Sequence, residues 1–174
     1  MMYVSRFSNP ELKSGAYTAV RISLGIPKWP LGYEVAGAIN DLMPYGLFNK
    51  YSHGEFVVRY KERLDRFGVD RIWNDLKPFE ALGKPVVLLC YEDVRVEGQT
   101  CHRTTFAEWW REQTGEIVDE LQDPSIPRGA AKAQAKGGAA PQPDHRLAKM
   151  SQAMKNAEDR IRQREADNVQ LSMF

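Results

Sequence analysis

The chain has 174 residues, of which 43% are hydrophobic and 27% are charged, and its formal net charge at pH 7 is +1. This length suits one domain with a substantial core plus additional segments, and the small net charge excludes a strong global attraction to nucleic acid or anionic membranes. No apolar run approaches the roughly 20 residues of a membrane span, the first residues lack the apolar core of a signal peptide, and two cysteines are too few for a disulfide scaffold. We therefore expect a cytoplasmic protein with reduced thiols.

The first predicted element is a β-strand at residues 17–25. Its sequence, YTAVRISLG, places Val20, Ile22 and Leu24 at alternate positions and ends in a glycine turn. Residues 33–42 fit a short strand or a helix equally well, and both assignments stay open.

Two helices are predicted next. The sequence SHGEFVVRYKERLDRF, residues 52–67, opens with Ser52 and Glu55 in the capping-box pattern. Its apolar residues fall on one helical face; they are Phe56, Tyr60, Leu64 and Phe67. The next segment, VDRIWNDLKPFEAL, continues as a helix until Pro78, which should bend or stop it.

An unbroken apolar run and the helix after it decide the predicted fold class. KPVVLLCYE, residues 84–92, predicts a strand that is buried on both faces, as in the middle of a parallel sheet. CHRTTFAEWWREQTG, residues 101–115, predicts a helix with Thr100 as its N-cap and Gly115 as its stop. EIVDEL, residues 116–121, predicts a last short strand. This βαβ order predicts an α/β domain with a mostly parallel sheet.

The junction between this strand and helix holds the residues best suited to chemistry. Ligands of open α/β sheets collect at the carboxyl ends of strands, which is where Cys90 and Glu92 are predicted to lie. A helix amino end favours anions and lowers the pKa of a thiol, so Cys101 could act as a nucleophile or thiolate. His102 could carry a proton and Arg103 could clamp a phosphate or carboxylate. Glu92 could orient these groups or pair with Arg103, and Cys90 could equally be a packed hydrophobe.

Metal and anion-loop chemistry are both weakly indicated. Two cysteines beside a histidine suggest zinc, with His53 as a distant fourth ligand, but zinc cysteines are usually about two to four residues apart. Ten residues separate Cys90 from Cys101, so we predict no metal. A phosphatase-like or rhodanese-like loop from Cys90 to Arg95 would contain acidic residues that repel an oxyanion.

These pieces resemble the domain-of-unknown-function family 488. VVLLCYE followed by CHR and a helix, RISLGIPKW near the start, and the helix with Tyr60 between them are similar to the layout of that family over residues 19–121. The resemblance implies a Rossmann-like, three-layer α/β domain and a site at one edge of its sheet, without naming a reaction. The residues of that site are Cys90, Glu92, Cys101, His102 and Arg103.

A Pro-rich loop beyond the first predicted strand carries a further candidate. Trp29, in GIPKWPLG, could stack on a base or another ligand, and Arg21 and Lys28 could line the same rim. The ordinary alternative is a tryptophan that closes a loop over the core, beside two solvated charges.

Composition changes after Gln122, which predicts a domain at residues 1–122. Residues 123–144 are rich in Ala, Gly, Pro and Lys and predict a flexible linker. Residues 145–169 contain many helix formers, a thin apolar stripe and more bases than acids. They predict a marginal, basic helix that could lie along phosphates.

The last five residues, QLSMF, resemble the Q-L-[S/D]-L-F peptide by which many bacterial replication and repair proteins engage the sliding clamp. Gln170 can hydrogen-bond to backbone and Leu171 can fill one apolar pocket, while Ser172 matches the third position. Met173 and Phe174 can fill a second pocket, since Met in place of Leu keeps volume and flexibility. The alternative is a frayed end that folds back on the body.

These features predict a DNA-maintenance protein that is recruited to the sliding clamp. Its Cys/His/Arg pocket is expected to act on, or bind, a nucleic acid, a nucleotide or a modified base. Two other classes stay open: a non-catalytic nucleotide- or DNA-binding accessory factor of the replisome, and a thiol redox or persulfide-handling protein. The last class requires that Cys90 and Cys101 lie close enough to bridge. The residues indicate no particular cofactor.

Overall fold

The computed structural model describes residues 1–48 and 50–127. In this part of the chain the strands are β1 (Met2–Arg6), β2 (Thr18–Arg21), β3 (Gly37–Ala38), β4 (Val86–Cys90) and β5 (Asp119–Glu120). The α-helices are α1 (His53–Phe67), α2 (Val69–Glu80) and α3 (His102–Thr114), and short 3-10 helices lie at Pro10–Ser14 and Asn40–Leu42. Most of the predicted linker, the predicted basic helix and the QLSMF peptide lie outside the described residues.

The five strands form one parallel sheet in the order β3-β2-β4-β1-β5. Strand β4 is central, and all of its residues are buried, as expected for a strand that is covered on both faces. Its register places Cys90 beside Arg6 at the end of β1, and Leu89 beside Arg21 at the end of β2. The predicted α/β class is therefore confirmed.

Two apolar clusters cover the two faces of the sheet. All three α-helices contribute to the same cluster; their buried residues in it are Tyr60, Leu64, Ile72, Leu76, Phe106, Trp109 and Trp110. On the opposite face, Val87 and Leu89 are covered by Leu12 of the first 3-10 helix and by apolar residues between positions 31 and 35. The second covering layer is thus thinner than the helical layer. Among the described helices, none combines the length and the apolar character that crossing a bilayer requires.

Local signals in the sequence set the ends of α1 and α2. The Ser52 side chain accepts a hydrogen bond from the Glu55 backbone, and the Glu55 carboxylate accepts one from the Ser52 backbone, so the predicted capping box is present. Tyr60 is buried in the α1 face that packs on the sheet. Helix α2 ends at Glu80, shortly after Pro78.

Several element boundaries differ from the sequence-based expectation. Helix α3 takes Cys101 rather than Thr100 as its N-cap, without a side-chain cap hydrogen bond. Strand β2 ends at Arg21 because its partner β4 ends at the next position, and the following Ser23 hydroxyl donates to the Gly25 carbonyl oxygen in a turn. The ambiguous segment contains both β3 and the second 3-10 helix.

Strand β1 is not predicted from the sequence, and it is the element that flanks β4 on one side. Its burial pattern explains the omission, because Ser5 and Arg6 are polar residues that are nevertheless buried. The strand therefore lacks the apolar alternation that would reveal it.

An ion-pair network fixes the loop after β4 to the end of β1. Arg6 Nε lies 2.7 Å from Asp123 Oδ2, and Arg6 Nη1 lies 3.5 Å from Asp93 Oδ2. Arg95 closes the network, with Nε 2.8 Å from Asp93 Oδ1 and Nη2 3.1 Å from Asp123 Oδ2. Hydrogen bonds from Arg95, aided by the charge of Arg6, outweigh burial and lower the pKa of Asp93 from 3.8 to about 2.

Removal of one carboxylate from this network should destabilise the fold in a pH-dependent way. We expect Asp93→Asn to lower the free energy of unfolding at pH 7 by about 1.5–3 kcal/mol, the usual range for hydrogen bonds to charged groups. Because the pKa of Asp93 is lower in the folded state, its stabilisation is present above the unfolded pKa and is lost as pH falls from about 4 to about 2. The deficit should therefore shrink at pH 2 in urea titrations. Asp119→Asn, at an exposed position, is the control, and an equal deficit at both pH values would contradict the network's role.

Candidate functional site

Two thiols, a carboxylate and an imidazole converge at the carboxyl end of β4. Cys90 is the last residue of that strand, and Glu92 lies two residues further along the chain. Cys101 is the N-cap of α3 and His102 is its first residue. This is the edge at which open α/β sheets bind ligands, and the structure brings these four predicted residues together there.

The Glu92 carboxylate accepts a hydrogen bond from each thiol. Cys90 Sγ lies 3.0 Å from Glu92 Oε2, and Cys101 Sγ lies 2.9 Å from the same oxygen. The ligand atoms of Cys90, Cys101 and His102 all lie within 4.8 Å of one another, and both cysteines are free and buried. The loop between β4 and α3 thus closes the gap of ten residues that argued against a metal site from spacing alone.

The ring of His102 presents one nitrogen to both thiols. Its Nε2 lies 3.0 Å from the Ile22 carbonyl oxygen, and because a carbonyl only accepts, Nε2 is the donor. In the neutral ring Nδ1 then carries a lone pair, which faces Cys90 Sγ at 3.6 Å and Cys101 Sγ at 3.8 Å. The Tyr60 ring packs edge-on against the imidazole at 5.6 Å between centroids. His102 is therefore oriented by backbone and packing.

The acidic groups of the cluster shift one another's pKa. Burial opposes ionisation of Glu92, but hydrogen bonds from Cys101 and Cys90 outweigh it and lower the pKa of that carboxyl. Hydrogen bonding to Cys101, together with burial, raises the pKa of Cys90. Burial also opposes ionisation of Cys101, but hydrogen bonds with Cys90 and His102 lower its pKa to about 6. A Cys101 thiolate would face the ionised Glu92 at 2.9 Å, so full ionisation of both requires a cation between them.

Arg103 does not clamp a free anion. Its side chain is fully buried, and its Nε and Nη2 donate to the two oxygens of Glu120 at 3.0 Å each. The expected pairing with Glu92 is therefore wrong, and the edge that would hold a substrate phosphate is already occupied. Of the buried side-chain nitrogen and oxygen atoms in the described residues, Arg103 Nη1 alone lacks a hydrogen-bond partner. Arg103 ties α3 to β5 and places a positive charge near the thiols.

Two cavities open onto the cluster. One, of about 240 Å³, is lined by Cys101 and His53, and the other, of about 210 Å³, is lined by Cys90. Glu92 and His102 line both. The proton-carrying groups are thus accessible from two sides, although the thiols themselves are nearly covered.

Exposed aromatic side chains border these cavities. Phe48 lines both and is 53% exposed, Tyr51 lines the first and is 38% exposed, and Tyr91 lines the second and is 40% exposed. Trp29, which the sequence singles out, is 48% exposed and packs edge-on against Tyr91 at 6.0 Å. Sequence reasoning missed the other three because a solitary exposed aromatic residue belongs to no periodic pattern.

The two basic residues expected beside Trp29 lie outside the cavity linings. Arg21 donates through Nη1 to the Ser23 carbonyl oxygen at 2.8 Å, and Lys28 is exposed on the loop that carries Trp29. Neither lines either cavity among the residues that the structure describes. The rim next to the site is therefore aromatic rather than basic.

Comparisons with protein-family models, curated proteins and solved structures found no match for this chain. The resemblance to family 488 remains an expectation that depends on the C-Y-E and C-H-R residues. Support for a function consequently comes from the residues of the site itself.

The position of the sulfurs predicts that mild oxidation forms an intramolecular Cys90–Cys101 disulfide. The sulfurs lie within 4.8 Å, so a short movement brings them to the bonding distance of about 2.0 Å. Diamide treatment in EDTA should remove both alkylatable thiols and two hydrogen atoms from the intact mass, and a reductant should restore them. Cys101→Ser is the control, because it leaves Cys90 without an internal partner. Recovery of two alkylatable thiols from the wild type after strong oxidation would contradict the geometry.

Proposed function

We propose that this chain is a DNA-maintenance protein whose pocket acts on a nucleic acid, a nucleotide or a modified base, and that its QLSMF peptide recruits it to the sliding clamp. The proposed activity of the pocket is supported by the aromatic border around the Cys/Glu/His cluster. The proposed recruitment to the clamp is supported by the peptide and by the Ala-, Gly-, Pro- and Lys-rich segment before it.

The aromatic border supports a ligand that contains a base. Phe48, Tyr51 and Tyr91 offer partly exposed rings at the cavities, and Trp29 extends this border through its contact with Tyr91. Stacking of a base on such a ring contributes about 1–3 kcal/mol and tolerates any base, because every base has a π-face. An exposed border of this kind therefore suits a flat heterocycle.

The polar groups at the floor of the cavities support action on the base rather than on a phosphate. The Arg103 fork is occupied by Glu120, so no bidentate contact to a phosphate is available from that side chain. Glu92 and His102, by contrast, line both cavities and can accept or return a proton. Hydrolysis or group transfer at a base is the reaction class that this arrangement favours.

Loss of an aromatic ring should weaken ligand binding. We expect Phe48→Ala or Tyr91→Ala to weaken the binding of a mixed-sequence single-stranded oligonucleotide by about 5- to 150-fold, which corresponds to the loss of one stacking contact. Fluorescence anisotropy with the full chain measures the dissociation constant. Tyr45→Ala is the matched control, since Tyr45 is 51% exposed and is not among the residues that line the two cavities.

Equal weakening by all three variants, or no binding by the wild type, would remove the basis for a base-binding pocket. Mass spectrometry of the oligonucleotide recovered after incubation distinguishes catalysis from binding alone. A changed base indicates an enzyme, and an unchanged one indicates a non-catalytic accessory factor.

The peptide should be required for recruitment. We expect a bacterial sliding clamp on beads to retain the wild-type chain and to lose the Leu171→Ala plus Phe174→Ala variant, because these side chains would fill two apolar pockets. Leu147→Ala plus Met150→Ala, which also removes two apolar side chains from the predicted tail, is the matched control and should be retained. Equal recovery of all three proteins would disconnect the chain from the clamp.

The distance between the thiols favours a second candidate function, thiol redox or persulfide handling. Cys90 and Cys101 lie within bridging reach, and the low pKa of Cys101 suits thiol exchange. A disulfide that small dithiols reduce and re-form reversibly, in a chain that binds no oligonucleotide, would favour this candidate over the first.

A further inference from the structure

We infer that Cys90 Sγ, Cys101 Sγ and His102 Nδ1 together bind one divalent ion of the zinc type at the floor of the two cavities. Binding of the ion follows from the donor geometry alone. Its use in a reaction rests on the proposed function.

The donor atoms match zinc in type and spacing. Thiolate sulfur and imidazole nitrogen are the ligands that zinc prefers. In a tetrahedral site with Zn–S of about 2.3 Å and Zn–N of about 2.0–2.1 Å, a sulfur and a nitrogen lie about 3.5 Å apart. The two sulfurs lie 3.6 Å and 3.8 Å from Nδ1, so these two contacts are within a few tenths of an ångström of the tetrahedral spacing. The sulfurs lie within 4.8 Å of each other, and a bound ion would draw them to about 3.8 Å.

The surroundings of the histidine are those of a metal ligand. Metal-ligating histidines usually donate their other N–H to a carboxylate or backbone carbonyl, which fixes the tautomer. His102 Nε2 donates to the Ile22 carbonyl oxygen at 3.0 Å and leaves Nδ1 directed at the sulfurs. Tyr60 packs against the ring and keeps this orientation.

The charges also favour a cation. The half-buried Glu92 carboxylate lies within hydrogen-bond distance of two buried thiols. Metal binding would displace the protons that remain on the thiols, and the two positive charges of the ion would match the two thiolates. A bound ion therefore removes the repulsion that would otherwise follow ionisation of these groups.

Glu92 has a role that differs from that of the three ligands. Its Oε2 contacts both sulfurs but is not one of the three mutually close donors. Three protein ligands leave the fourth position for water, as in catalytic zinc sites. Glu92 lines both cavities and can take a proton from that water. A bound ion would supply an activated water at this position, and Glu92 would take its proton and return it to the group that leaves the base.

Metal titration of the full chain tests the site directly. After EDTA treatment and dialysis, we expect the wild type to take up one Zn²⁺ per chain and to give a thiolate-to-metal charge-transfer band with Co²⁺. Cys90→Ser plus Cys101→Ser should abolish the band and weaken Zn²⁺ binding by more than the roughly 10- to 100-fold that follows loss of a residue hydrogen-bonded to a metal ligand. His53→Asn is the matched control, because His53 lines one cavity outside the three-donor group. It should bind like the wild type.

A second measurement avoids any loss of folding in the cysteine variants. One equivalent of Zn²⁺, but not of Mg²⁺, should protect both thiols of the wild type from iodoacetamide. No uptake of Zn²⁺ by the wild type, or an equal loss in the His53 variant, would overturn the inference. If Glu92→Gln loses Zn²⁺ to the same extent as the double cysteine variant, Glu92 is itself a ligand. The inference that the fourth position is open to water would then be wrong.

The failure of this inference and the failure of the proposed function are distinguishable. A chain that binds Zn²⁺ but shows no aromatic-dependent binding of the oligonucleotide retains the metal site and loses the proposed function. A chain that binds the oligonucleotide through Phe48 and Tyr91 but takes up no Zn²⁺ retains the function and loses the metal site.

Discussion

The paired hydrogen bonds from two thiols to one carboxylate oxygen are the contact on which the site depends. Glu92 follows the end of β4, and its Oε2 binds a thiol from that strand end and a thiol from the start of α3. Ten residues of chain lie between Cys90 and Cys101. Because buried polar groups are stable only where they are paired, this shared oxygen and the nearby His102 Nδ1 keep the two thiols at one site.

The surrounding ionic contacts hold the end of β4 and the start of α3 in place. Arg103 joins the first turn of α3 to β5 through Glu120, while Arg95 joins the loop to the end of β1 through Asp93 and Asp123. Buried or half-buried arginines of this kind are costly to leave unpaired, so each has a fixed carboxylate partner. The positive charge of Arg103 consequently acts on the thiols at a distance rather than by holding a ligand.

How far the sequence predicts this molecule depends on whether a feature is local. The capping box at Ser52, the stop at Gly115 and the apolar run of β4 are local, and all three are found in the structure. Strand β1 is not recognisable in the sequence, because the polar residues Ser5 and Arg6 occupy buried positions where a strand pattern would require apolar residues.

The candidate site shows the same limit. Both cysteines, Glu92 and His102 are predicted from their places at a strand end and a helix start, but their distances are not, because loop closure over ten residues has no sequence signature. The partner of Arg103 is decided by tertiary contact with β5. The aromatic border at Phe48 and Tyr91 becomes a feature only after distant segments meet around the cavities.

In the proposed function, recruitment to the clamp would compensate for weak binding by the pocket. A few partly exposed rings supply only about 1–3 kcal/mol per stacked base, which gives weak binding to a free ligand in solution. A second binding module on a flexible linker raises the effective concentration of the pocket near DNA to about the millimolar range. Under that condition a pocket needs discrimination more than affinity. In the proposed function, discrimination would come from Glu92 and His102, because a polar edge of the base would have to match their proton donors and acceptors.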